Sequence, residues 1–196
     1  MLEWFDNLDK VFFFLINVTL SNPVTDAVMP VVTSDNLLRI LYAVAMVLLL
    51  RKGDAKVRWL VLFSAITLTL TDQVSSKYLK PFFDRPRPCH VLENINLLVG
   101  CGGGKSMPSS HAANAFGQAM MFAYLFRSVR WYLMAFAAIV AISRVFVGVH
   151  YPGDVLVGSL IGMFIGLLVA LTSRRFTDWW ASRQQEKKED TDVAEA

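Results

Sequence analysis

Charge is scarce in this chain. Only 18% of its 196 residues are Asp, Glu, Lys or Arg, where a soluble globular domain carries about 25%. Hydrophobic residues reach 55% and the mean hydropathy is +0.44. The excess lies in long runs, the pattern of a helical membrane protein rather than a water-soluble domain. A formal charge of +3 is too small to imply a nucleic-acid partner. Cysteine is almost missing: Cys89 and Cys101 are the whole complement. There is no internal repeat and no linker, so the length predicts one domain. A basic leader is lacking too. Glu3, Asp6 and Asp9 precede the first apolar run, where a secretory signal would be positive, so insertion is expected to rest on retained helices. Gly104-Lys105-Ser106 is not a phosphate-binding P-loop, because Val99 occupies the position of its first glycine.

The apolar runs are residues 4–20, 24–33, 37–50, 59–74, 109–126, 131–149 and 155–172. Ser21-Asn22-Pro23 separates the first two, and ten residues cannot span a bilayer that needs about 20. The expected fold is all-α: a polytopic membrane helical bundle with about six transmembrane segments, the first interrupted near Pro23. Residues 1–180 would form the single membrane-embedded domain. Residues 181–196 mix charges with no apolar period and are expected to be a disordered tail. Gly158, Gly162 and Gly166 repeat every four residues, a small-residue face expected to pack within the bundle. Arg51, Lys52, Lys56 and Arg58, then Arg127 and Arg130, then Arg174 and Arg175 fall in alternate connections. The positive-inside rule makes that side, and the C-terminus, cytoplasmic.

Three stretches on the other side carry ionisable groups at membrane depth, where they are costly and usually functional. In the first, Lys80 and Arg87 are set among Pro81, Pro86 and Pro88. Proline disfavours helix, so a stiff extended loop is expected. The loop's cations, Lys80, Arg85, Arg87 and Lys105, read as ligand-binding charges, with arginine suited to multidentate phosphate contact. Alone, they would equally serve beside lipid headgroups. In the second, Pro108-Ser109-Ser110-His111 opens a helix whose free amides favour anions; alone, it would be a serine cap and a surface histidine. The third is Ser143-Arg144, His150 and Asp154. Ser143 and His150 are two turns apart and are expected on one helix face. A carboxylate on one imidazole nitrogen frees the other as nucleophile; the plainer reading is a helix-end His–Asp pair, against which Arg144 inside an apolar run speaks.

Together these stretches resemble the type 2 phosphatidic acid phosphatase superfamily, whose pattern is K-x6-R-P, then P-S-G-H, then S-R-x5-H-x3-D. Lys80-x6-Arg87-Pro88 and Ser143-Arg144-x5-His150-x3-Asp154 match throughout; Ser110 stands where glycine is usual. Serine is small and keeps its amide, so anion binding should survive. The resemblance implies that His150 attacks phosphorus, Asp154 orients it and His111 protonates the leaving oxygen. Lys80, Arg87, Arg144, Ser109 and Ser110 would bind the phosphoryl group, with no metal and no other cofactor. It implies a phosphorylated lipid as substrate in the bilayer: undecaprenyl diphosphate or lipid A 1-phosphate first, then phosphatidylglycerol phosphate or phosphatidic acid. The site would face the periplasm from the inner membrane of a bacterium. Two alternatives are a haloperoxidase, disfavoured by the hydropathy, and a non-catalytic lipid-phosphate binder or transporter, which would not need His150 and Asp154 so spaced. In an oxidising periplasm Cys89 and Cys101 would close the outer loop with a disulfide, worth about 3 kcal/mol on the entropic model. Oligomeric state is not set by any of these features.

Overall fold

The computed structural model describes residues 2–194, with side chains from residue 4 to residue 193. Among these residues the fold is all-helical, with no strand. Helix α1 (Leu2–Phe14) runs through a π turn at Leu15–Thr19 and then breaks. Asn22 caps α2 (Pro23–Val32) in a reciprocal capping box with Thr25, and Pro23 takes the first helical position, where its missing donor costs nothing. The two segments meet at 112°. Ser34 caps α3 (Asp35–Lys52) and Asp54 caps α4 (Ala55–Gln73). After the short turns α5 (Lys80–Phe83) and α6 (Pro88–Val91) come α7 (Ser110–Leu125), α8 (Arg130–Phe146) and α9 (Pro152–Ala194).

The short helix α7 is the axis of the bundle, packed against α4, α8 and α9. Its buried positions are small, namely Ala112, Ala113, Gly117, Ala119 and Ala123, with Met121 as the large exception. The glycines of α9 fit against it. A Cβ at Gly158, Gly162 or Gly166 would strike the carbonyl oxygens of Ser109, Ala113 and Gly117 in turn. The small-residue face therefore lies within the bundle, where it lets two backbones approach closely. Offset by two residues, and so on the opposite side of α9, Leu156, Leu160 and Phe164 are 54–63% exposed. From α4, the buried polar residues also turn to α7. Ser64 donates to Gln118 Oε1 at 2.7 Å, and Thr71 donates to Asn114 Oδ1 at 2.7 Å. Such interhelical bonds contribute about 0.6 kcal/mol each in a membrane.

Three helical runs are long and apolar enough to cross a membrane: Ala55–Val91, Arg127–Phe146 and Pro152–Val193. Counting the bent pair Trp4–Thr19 and Pro23–Val32 as one interrupted span makes four. An expected six needs α3 and α7 as well. Helix α7 is 16 residues long, and α3 carries Asp35, Arg39, Arg51 and Lys52. The tail departs from expectation. Where residues 181–196 are expected to be a disordered tail, α9 continues unbroken to Ala194, and residues 195–196 lie outside the described residues. Its Gln, Glu, Lys and Arg residues are good helix formers and include the pair Arg183–Glu186, three apart at 3.3 Å.

Candidate active site at one end of the bundle

The ends of α4, α7, α8 and α9 that carry the three stretches meet at one end of the bundle. At the other, Lys56 of α4 pairs with Asp178 of α9 at 3.5 Å, which places two of the basic clusters together there.

Lys80 arrives on helix rather than on an extended loop. Helix α4 widens into a π turn at Val74–Leu79, where the Lys80 amide reaches Ser75 O, and continues as α5. The widened turn precedes Pro81, whose ring cannot fit an ordinary helical interior. Asp84, at φ 46°, ends this helix, and extended backbone then leads to Arg87, which precedes α6. Lys80 Nζ donates to Lys105 O at 3.0 Å.

At the start of α7 the Ser109 amide donates to Asp154 O at 3.0 Å. Of the expected anion-binding amides, that one is therefore taken, and those of Ser110 and His111 remain at the helix N-terminus. The Ser109 side chain caps nothing. The hydroxyl of Ser110, the residue that replaces the usual glycine, sits 3.0 Å from Ser76 Oγ, so α4 supplies a polar neighbour for it.

Ser143 and His150 do not share a helix. α8 stops at Phe146, and Gly148 adopts φ +84°, a left-handed turn that favours glycine. His150 thus lies in the turn between α8 and α9, 2% exposed. Asp154 is in the first turn of α9. Its Oδ2 accepts the Tyr151 amide at 2.8 Å, as a third-position carboxylate does in a capping box, and also accepts Ser106 Oγ. The same oxygen lies 3.5 Å from His150 Nδ1. Arg144, in the last turn of α8, donates through Nη1 to Thr33 Oγ1.

These residues surround a cavity of about 440 Å³, lined by Lys80, Arg87, Ser110, His111, Arg144 and His150, with Asp35, Ser76 and the Gly100–Gly103 segment at its rim. Its lining holds three cations, Lys80, Arg87 and Arg144, and one carboxylate, Asp35. Buried polar atoms normally find partners. Yet Arg87 Nε, Arg144 Nε, His111 Nε2 and Ser109 Oγ, all at or beside this cavity, have no hydrogen-bond partner among the described residues. His111 Nε2 is 3.1 Å from Asp35 Oδ1 but not aligned for a hydrogen bond. Such an arrangement suits a ligand rich in acceptor oxygens and negative charge. Burial pushes the His150 imidazole down to about 3; the Asp154 carboxylate pulls it partly back, and Arg144 and Lys80 push it lower. His150 is therefore neutral at neutral pH. Nδ1 also faces Ser106 Oγ at 3.4 Å, and a tautomer with its proton on Nδ1, towards these oxygens, leaves the Nε2 lone pair unprotonated.

Cys89 and Cys101 are joined, with Cα atoms 6.0 Å apart, and the bridge fixes the rim segment that begins at Gly100. Two of the loop cations do not face the cavity. Lys105 pairs with Asp84 at 2.5 Å, and Arg85 is held by Asp6, Asp9 and Asp154. Sequence reasoning missed Asp6, Asp9, Ser106 and Asn17. Asp6 and Asp9 read only as charge near the N-terminus, and nothing in the spacing linked them to Asp154, more than 140 residues on. Asn17 gave no signal beyond being a polar residue in an apolar run. It donates to the carbonyls of Asn96, Val145 and Phe146 at 2.8, 3.2 and 2.7 Å, and accepts the Asn96 amide at 2.8 Å. It thus locks the turn that presents His150.

Known proteins are similar to this chain in sequence and fold. The chain is 32% identical over 186 residues to a lipid A 4'-phosphatase of Bacteroides thetaiotaomicron, covering 90% of this chain and 82% of that protein. It is 26% identical over 159 residues to the undecaprenyl-diphosphatase BcrC of Bacillus subtilis, covering 81% and 80%. The crystal structure of Aquifex aeolicus LpxE matches with a TM-score of 0.66 at 30% identity, over 83% of this chain and 94% of that one. A phosphatidylglycerolphosphate phosphatase from Bacillus subtilis shares the fold, with a TM-score of 0.73 at 23% identity over 87% and 86%. The model of the PAP2 superfamily matches residues 58–178, which contain all three motif stretches, and the chain belongs to that superfamily.

Proposed function

We propose that this protein is an integral membrane phosphatase that removes a phosphate from a lipid headgroup by way of a phosphohistidine. The observation that carries the reading is the buried, neutral His150 backed by Asp154 at the edge of a cavity rich in unpartnered cationic donors. His150 Nε2 attacks phosphorus. The phosphorus–oxygen bond to the lipid breaks, and His111 donates a proton to the departing oxygen. Asp154 balances the charge that grows on His150. Water then attacks phosphorus and gives a proton to His111, which restores it; the phosphorus–nitrogen bond breaks, and inorganic phosphate leaves. Lys80, Arg87, Arg144 and the amides of Ser110 and His111 hold the phosphoryl oxygens throughout. Preorganised charge of this kind is commonly the largest contribution to such catalysis, about 10²–10³ in kcat for one donor.

The substrate class follows from the relatives' activities and from the open bundle end. We infer a lipid A phosphate or undecaprenyl diphosphate, ahead of phosphatidylglycerol phosphate and phosphatidic acid. The alternating basic clusters support a cytoplasmic C-terminus and a site facing the periplasm, with residues 1–180 as one domain crossing the inner membrane about six times. The test is phosphate release by the detergent-purified protein from these four lipids with EDTA present, beside His150→Ala. Release by the parent and none by the variant is expected, and the preferred lipid identifies the substrate. Equal release by both would refute His150 as nucleophile, and no release from any lipid would leave a binder of lipid phosphates. A reporter fused after Thr172 must read cytoplasmic; a periplasmic signal overturns the orientation.

A further inference from the structure

We propose that α1 is a working part of the site: Asp9, acting through Arg85, is a positioning residue for Asp154. The proposal rests on the reading of His150 and Asp154 given above. Both Asp6 and Asp9 lie outside residues 58–178, the segment matched by the family model.

Arg85 sits within the first motif stretch, yet its guanidinium turns behind the site. Nη1 is shared between Asp9 Oδ2 at 2.7 Å and Asp154 Oδ1 at 2.9 Å, while Nη2 donates to Asp6 Oδ1 at 3.0 Å. The guanidinium carbon lies 4.0 Å from the centre of the Tyr151 ring, which closes one face. The Arg85, Asp9 and Asp154 side chains are 16%, 13% and 0% exposed, so water screens this group poorly. The second oxygen of Asp9 accepts the Gly153 amide at 2.7 Å, one residue before Asp154. Asp9 therefore grips Asp154 twice, once through Arg85 and once through the backbone.

This grip fixes rotation. Asp154 Oδ1 is tied to Arg85, which turns Oδ2 towards His150 Nδ1. The Tyr151 amide and the Ser106 hydroxyl hold Oδ2 alone, so without Arg85 on Oδ1 the carboxylate can tilt about that oxygen and its alignment with the imidazole loosens. Helix α1 holds the arginine in place from its inner face. Its outer face, with Trp4, Phe5, Val11 and Phe12 at 47–63% exposure, is free for lipid.

Asp9→Asn separates this role from a purely structural one. The asparagine keeps the volume and an oxygen for the Gly153 amide, and removes only the charge that holds Arg85. In the full-length protein, with the lipid that gives release in the panel above, kcat per folded molecule is expected to fall about 10- to 100-fold, with KM changing less than about twofold. Arg85→Gln should fall similarly, and the double variant no further than Arg85→Gln alone, because the two act as one unit. Asp6→Asn, at the exposed end of the cluster, should stay within about threefold. Histidine nitrogen NMR without substrate gives a second readout: the His150 Nδ1 signal is expected to move in Asp9→Asn. Unchanged kcat with an unmoved signal, or effects that multiply in the double variant, overturns the proposal. If no lipid is hydrolysed by the parent, the NMR signal alone decides: a shift sustains the positioning role while the phosphatase reading fails, and no shift refutes it.

Discussion

Gly158→Ala is expected to damage turnover far more than stability, because the space it invades belongs to the first residue before α7. A Cβ at Gly158 would collide with Ser109 O and stand 3.2 Å from Ser109 N. Restoring ordinary contact, near 3.5 Å, needs a shift of about 1 Å. Ser109 is the N-cap residue of α7, so the N-terminus of that helix must move with it. That N-terminus carries His111, and its Ser109 amide is bonded to Asp154 O. A 1 Å error in such a constellation costs about 10²-fold in rate. The overpacking itself costs about 1–3 kcal/mol, or roughly 2–12 °C in melting temperature for a chain of this size. Gly166→Ala is the control. Its Cβ meets Gly117 O, two helical turns further along α7, so it should lose the same stability and keep its turnover. The assay is kcat per folded molecule beside a melting curve for both variants in one detergent. Equal turnover for Gly158→Ala and Gly166→Ala, with matching melting temperatures, would show that the α7–α9 contact does not set the site.

Asn17→Ala should lower the melting temperature, since each buried group left unpaired among the Asn96, Val145 and Phe146 partners costs about 1–3 kcal/mol; a variant as stable as the parent would mean that the turn holds itself. The depressed His150 value makes stability depend on acid. The unfolded imidazole titrates near 6.5. This contribution is therefore complete above that pH and is lost as pH falls towards about 3, because only the unfolded chain takes up the proton. Melting temperature should drop less between pH 7 and pH 4.5 in His150→Gln than in the parent, and an equal drop refutes the assignment. Peptide mapping without reductant should yield one linked Cys89–Cys101 fragment and no free thiol. Replacing both cysteines with serine should raise KM by loosening the Gly100–Gly103 rim; free thiols in the parent would remove the basis for that expectation.

The family, and the grouping of residues into a candidate site, were legible because their signal is chemical. Arg144, His150 and Asp154 interrupt apolar runs, and no packing rule would put them there. The all-helical architecture was legible from the same runs. What the sequence hid was the part whose partners lie far along the chain. Asp9 reaches Arg85 and Gly153, and Asn17 reaches Asn96 and Phe146; short-range spacing carries no trace of either. The helix end between Ser143 and His150 was obscured for a different reason. Val145, Phe146, Val147 and Val149 are apolar on both sides of the turn, so the pattern runs on although the backbone reverses at Gly148. The tail has no apolar face to signal a helix, and α9 continues through it to Ala194 on helix propensity and local charge pairs.

That long helix has a geometric consequence. At 1.5 Å per residue, 43 residues make a rod of about 64 Å, twice a hydrocarbon core of about 30 Å. Trp59, Phe176 and Trp180 cluster with ring centres 4.8 to 6.5 Å apart, and aromatic groups of this kind collect at the boundary between lipid and water. From Trp180 to Ala194 the rod then stands about 20 Å clear of that boundary. Its far end is the turn that holds Asp154. The tail and Asp154 thus lie at the two ends of one unbroken helix, with the glycine contacts against α7 between them.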